Sequence, residues 1–177
     1  VPTAASSANA SLRVAPADKI SDAKRNGVVA LEALSQQYPE DSGLLLELAK
    51  EQRLERRPLQ AVETLSRLLK LEPARSADAE VGNLLWQAAQ SPEAEDASFA
   101  LLEQSLGERG VDILFDLATA AGVGGAARSR ASARLVEPAI IERASSALRP
   151  LLRLRVARTC EALRELLPAV EKDSDRR

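Results

Sequence analysis

The chain contains no histidine and no methionine, a single cysteine, and aromatic residues at only 2 % of its length. Each shortage closes off a class of chemistry. Without histidine there is no Ser-His-Asp or Cys-His catalysis, no imidazole metal ligand and no side chain that ordinarily titrates near neutral pH. One thiol, Cys160, rules out an intramolecular disulfide framework and a thiolate zinc site. So few rings leave Leu, Ala, Val and Ile to fill the core. A β-sandwich or barrel normally draws on more aromatic and β-branched residues, whereas Leu and Ala lose little side-chain freedom in a helix. The composition predicts an all-α fold.

Long apolar runs are missing too. None approaches the roughly 18–20 residues that cross a bilayer, so no membrane span is expected. The opening VPTAASSANASLRVAPADK has neither a basic start followed by an apolar core nor an initiator Met. It is not an intact signal peptide, and an excised or processed piece of a longer protein is expected. A net charge of −2 over 177 residues argues against wholesale electrostatic capture of nucleic acid. The compartment stays open between cytoplasm and, behind a membrane anchor, periplasm.

What is present is helical periodicity punctuated by proline and glycine. Residues 1–17, rich in Ala, Ser and Pro with only Arg13 charged, are expected to form a flexible linker. A first helix is predicted from Asp18 or Ser21 to Gln37, with Val28, Leu31 and Leu34 on one face and a stop at Tyr38-Pro39. A second spans Ser42 to Leu54 with Leu44, Leu45 and Leu48 as its apolar stripe. Pro58 suits a first helical turn and starts a third, carrying Leu59, Val62, Leu65, Leu68 and Leu69 and stopping before Pro73. Further helices are predicted at about 77–90, 92–106, 111–121, 126–136, 138–148 and 151–170, with Gly107 and Gly110 marking a junction, Gly122–Gly125 a break, and 172–177 a frayed tail. Nine helices with short connections imply antiparallel neighbours.

Pro39 and Pro73 stand 34 residues apart, and the helix–turn–helix between them has the size of a tetratricopeptide repeat. Residues 42–73 resemble that family at several positions. Leu45 and Leu48 take the large apolar positions and Ala49 the small position of the first helix; Ala61 and Leu65 take the small and bulky positions of the second; Pro73 takes the terminating proline. Gln52 stands where the family usually has Tyr, and Leu68 where it usually has Ala. Residues 20–39 are similar to the second half of a preceding repeat. Residues 76–106 are similar to a degenerate following one, in which the interval from Ala61 to Ala97 is 36 residues. Beyond residue 107 the rhythm is lost, and the segment to 171 resembles stacked HEAT-like helices. The stretch RVARTCEALRELLP and the acidic-then-basic tail after it are similar to the C-terminal regions of large membrane-anchored serine/threonine kinases of high-GC soil bacteria such as myxobacteria. No kinase catalytic motif occurs in this chain. The resemblances imply a right-handed α-solenoid of stacked hairpins, tetratricopeptide-like over 18–106 and HEAT-like over 107–171. They also imply a protein-interaction module, in the setting of a regulatory or sensor region of a larger bacterial signalling protein.

The first helices of tetratricopeptide repeats line a groove that receives extended peptides. By that resemblance Leu46, Lys50, Arg53 and Leu54 face a groove for a protein or peptide partner, or for another domain of the same polypeptide. A Lys/Arg pair one helical turn apart suits a carboxylate; a plain surface role is the alternative. Charge is also unevenly spread: sixteen acidic against ten basic residues over 18–106, but nine Arg against three Glu over 124–164. The basic strip, with Arg128, Arg130, Arg134, Arg153 and Arg158 as its candidates, fits a solvated helix face or attraction between the two halves. It also fits an acidic protein segment, an anionic lipid or, as the alternative function, a HEAT-like nucleic-acid interface over the Arg-rich segment 128–164, against which stands the absence of stacking aromatics there.

Catalytic readings are weaker than structural ones. Gly122-Val123-Gly124-Gly125 lacks the preceding strand and the Lys-Ser/Thr of a phosphate loop and is expected to be a hinge. Glu93, Glu95 and Asp96, or Glu137 and Glu142, are more simply helix-start charges than acid–base dyads. Cys160, beside Val156 and Leu163 on one face, is expected to be a buried small hydrophobe; Arg158 and Arg164 give the competing reading of an activated thiol. Neither an enzymatic role nor a cofactor is expected.

Overall fold

The computed structural model describes residues 14–157, and among them all regular structure is helical. The order is α1 (Ala17–Arg25), α2 (Val28–Gln37), α3 (Ser42–Leu54), α4 (Pro58–Leu71), a 3-10 helix (Pro73–Ala77), α5 (Ala79–Ala88), α6 (Glu95–Ser105), α7 (Gly107–Thr119), α8 (Gly125–Arg134), α9 (Pro138–Arg143) and α10 (Leu148–Val156). The chain divides into two compact units between Ala97 and Ser98, within α6.

Proline sets several boundaries. Tyr38, Arg57, Glu72 and Glu137 each precede a proline, and each leaves the α region, with ψ of 64°, 62°, 81° and 128°. The proline ring crowds the preceding residue and keeps it out of the α region, while Pro58 and Pro138 occupy the first helical positions, where no amide hydrogen is needed.

Ten α-helices stand among the described residues where nine were expected over the whole chain. The expected first helix is two. Asn26 caps α1, and Gly27 adopts φ 84°, ψ −173°, a conformation open only to glycine, so the chain turns before α2. The segment ahead of α1 is also less free than its composition suggests: Ala15 is buried against the core, and its amide donates to Asp41 at 2.7 Å. The expected helix over 151–170 begins earlier, at Leu148, and α10 ends at Val156 with Ala157 extended at ψ 123°; residues 1–13 and 158–177, the expected frayed tail among them, lie outside the described residues.

In the first unit α3 packs against α2 and α4, α4 against α5, and α1 against α2. In addition α1 meets α3, and α3 meets α5, so successive first helices of the hairpins are neighbours. Val28, Leu31, Leu34, Tyr38, Leu44 and Leu48 form one continuous core, and Leu45, Leu65 and Leu68 are fully buried. The 3-10 helix takes up the residues that lengthen the repeat: the Asp N-caps of α3 and α5 fall at 41 and 78.

In the second unit α7 packs against α8 and α9, and α9 against α10. Gly107 stands at the expected junction, at φ 54° where α6 gives way to α7, whereas Gly110 lies inside α7. Gly110 lies so close to α6 that a Cβ built on it falls 2.1 Å from the Leu102 carbonyl oxygen. The missing side chain lets the two helices approach.

Candidate peptide-docking groove

Along the neighbouring faces of α1, α3 and α5 runs an open groove of about 410 Å³. Lys24 comes from α1; Glu47, Lys50, Glu51, Arg53 and Leu54 from α3; Glu80, Asn83, Leu84 and Gln87 from α5. The α3 residues recur at three- and four-residue steps, which places them on one face of a helix. Away from that face Leu44, Leu45 and Leu48 go into the core, so core and groove are two sides of one helix.

Four of the charges in the groove are joined. Lys24 pairs with Glu47; Glu47 pairs with Lys50 at 2.9 Å; Lys50 reaches across to Glu80 at 2.8 Å. This chain of four side chains stitches α1 to α3 and α3 to α5. One turn further on, Arg53 Nη1 donates to the Gln87 side-chain oxygen at 2.8 Å, between residues 34 positions apart. Partial burial pushes the Glu47 carboxyl up, but the ammonium groups of Lys24 and Lys50 outweigh it and hold Glu47 below its ordinary value. Burial acts on Lys50 in the opposite sense, and Glu80 and Glu47 outweigh it to hold Lys50 above its ordinary value. Opposite charges within hydrogen-bond reach favour both ionised forms.

Of the four groove residues named from the sequence, Lys50, Arg53 and Leu54 line the groove, Leu54 at 60 % exposure. Leu46 is 5 % exposed and is a core residue. The pairing of Lys50 and Arg53 with α5 was not visible in sequence. Glu47 and Lys50, three apart on a helix, carried a readable signal; Glu80, thirty positions on, carried none.

A second, polar cleft of about 310 Å³ lies among α2, α3 and α4. Buried at its floor, Thr64 donates to the Gln52 side-chain oxygen at 2.8 Å, and Gln52 Nε2 donates to Glu32 at 3.4 Å. Gln52 and Thr64 thus satisfy one another, which explains how an amide is tolerated at a position where the resembling family places a ring.

The basic strip is dispersed and engaged within the second unit. Arg128 donates to the Ala120 carbonyl at 2.9 Å, spanning the Gly122–Gly125 turn. The Arg130 guanidinium lies 4.8 Å from the ring centroid of Phe99. Arg134 hydrogen-bonds Glu137 at 2.8 Å, and its Nε lies 3.0 Å from Glu103, a charge contact whose angles fall short of a hydrogen bond. Arg153 pairs with Glu142 at 2.7 Å. Glu137 and Glu142 therefore each face an arginine rather than one another. Arg158 and Cys160, with Arg164, lie outside the described residues.

No family model, curated protein or solved structure matches this chain. Among the described residues no helix is long and apolar enough to cross a membrane.

Proposed function

We propose that this chain is a non-catalytic protein-interaction module of stacked helical hairpins, which offers the groove along α1, α3 and α5 to an extended peptide of a partner or of the same polypeptide. The observation that carries the reading is the groove itself: a concave face across three first helices, with Lys50, Arg53, Asn83 and Gln87 as hydrogen-bonding groups and Leu54 exposed among them. Polar groups around an exposed leucine provide register and specificity beside a patch that gains from being covered. The regulatory setting in a bacterial signalling protein rests on the resemblance of residues 155–168, most of which lie outside the described residues.

Panning a displayed library of random linear peptides against the full chain tests the reading. The expected result is enrichment of sequences whose affinity falls at least ten-fold, about 1.4 kcal/mol, in Lys50→Glu/Arg53→Glu protein that melts like the parent. Enriched peptides that bind the double variant equally well would place the docking face elsewhere.

A further inference from the structure

The groove already contains oxygen acceptors on its cations, and both bridging acceptors come from α5. Lys50 Nζ is 2.8 Å from Glu80 Oε2, and Arg53 Nη1 is 2.8 Å from Gln87 Oε1. Each is a stand-in that shows what chemistry these donors take: a carboxylate beside an amide or carboxylate oxygen, one helical turn apart. We propose that the ligand of this groove is an extended acidic peptide segment, and that Glu80 is its built-in competitor, occupying Lys50 until a ligand carboxylate displaces it. The proposal rests on the groove being the docking face.

The two carboxylates on Lys50 are not equivalent. Glu47 is on the same helix as Lys50, is held by Lys24 as well, and its side chain is 24 % exposed. It forms part of the fixed frame. Glu80 reaches over from the first turn of α5 and is 56 % exposed, so it can swing into water at the small cost typical of a surface ion pair. Lining charges balance while Glu80 is in place: Lys24, Lys50 and Arg53 against Glu47, Glu51 and Glu80. Once Glu80 leaves Lys50 the ammonium has an open side towards the groove. Leu54, the exposed apolar residue on the same face, calls for an aliphatic side chain between the acidic ones. Successive side chains of an extended peptide alternate in direction, so acidic and aliphatic residues would meet different parts of the groove.

The test uses the full chain and a fluorescein-labelled peptide of alternating Asp and Leu, titrated by anisotropy at low and moderate salt, with an alternating Lys/Leu peptide as the charge control. Glu80→Gln is expected to tighten the acidic peptide about five-fold, because it removes a competitor worth up to about a factor of five. Glu63→Gln, the same charge change on an exposed position of α4, leaves affinity unchanged. Adding Lys50→Ala to Glu80→Gln abolishes the gain. Equal tightening by Glu63→Gln and Glu80→Gln would reduce the effect to net charge and overturn the proposal. So would unchanged or weaker binding in Glu80→Gln protein that melts like the parent. If library peptides of other chemistry bind the groove while the acidic probe binds neither protein, the docking reading survives and the acidic ligand with its competitor falls. If nothing binds any variant, both fall.

Discussion

Asp41 ties down Ala15 across 26 positions of sequence: one carboxylate oxygen accepts the Ala15 amide at 2.7 Å, while the other caps α3 by accepting the Leu44 amide at 2.9 Å. The residue is 6 % exposed, so both bonds are shielded from water. One side chain thereby closes the start of a helix and anchors the chain that leads into α1.

Removing that carboxylate strands two amide donors. Asp41→Ala should cost about 3 kcal/mol, a lost cap plus a charged hydrogen bond. Asp41→Ser, which keeps the cap but cannot reach both donors, should cost about half as much. Urea denaturation of the three proteins checks the order; equal stability of Ala and Ser variants would contradict the double role.

At Gly110 the neighbour of an added methyl is backbone. With the Leu102 carbonyl oxygen 2.1 Å from the ideal Cβ, α6 and α7 must separate, and Gly110→Ala should destabilise by about 3 kcal/mol. Gly125, where nothing lies within 4 Å of a Cβ, is the internal control: Gly125→Ala should be neutral or stabilising by ~0.5 kcal/mol. Thermal melting of both variants decides.

Arg56 is the one non-glycine with positive φ among the described residues, at 59°. The amides of Arg56 and Arg57 donate back to the carbonyls of Arg53 and Gln52 at 3.0 and 2.8 Å, a helix end that favours glycine at the position Arg56 holds. Arg56→Gly should therefore raise stability by ~0.5–1 kcal/mol, read as a shift of the urea midpoint at unchanged slope.

These features differ in how far the sequence disclosed them. The leucine stripe of α3 and α4, and the prolines at 39, 58 and 73, mark helices through local rules of spacing and sterics, and the elements follow. The end of α1 at Gly27 was missed because Val28, Leu31 and Leu34 continue a helical pattern, and one glycine inside such a pattern does not announce which conformation it adopts. Gly110 was mistaken for a junction for the converse reason: its purpose is contact with Leu102 on another helix. The groove was half legible. Lys50, Arg53 and Leu54 share a face by spacing alone, but Leu46 on the same stripe is covered, and Glu80 and Gln87 join the site only because α5 packs beside α3. The arginines of the second unit advertised a basic strip; each of the four described has a partner or a ring nearby, which only tertiary structure reveals.

Two carboxyl groups should show opposite pH dependence. Glu47 is held below its ordinary value of 4.5 against a burial effect that raises it, so its stabilisation is present above that value and is lost as pH falls through the lower folded-state pKa. Asp112 is raised from 3.8 by burial first, then by Glu108 and Asp116, with Ser145 and Arg109 acting the other way. Its ionisation therefore opposes folding at neutral pH, and the penalty disappears as pH drops below 3.8. Asp112→Asn should raise the melting temperature at pH 7 and give no gain at pH 3, whereas Glu47→Gln should lower it at pH 7 and less so at pH 3. Melting curves across that range check both signs.

The most direct measurement of the docking account is an amide chemical-shift titration of the 15N-labelled full chain with the alternating Asp/Leu peptide. Saturable shifts confined to α1, α3 and α5, largest around Lys24, Lys50, Arg53, Asn83 and Gln87, are the expected result. Shifts that instead cluster on the arginines of α8 and α10, or a spectrum that does not change at millimolar peptide, would contradict it.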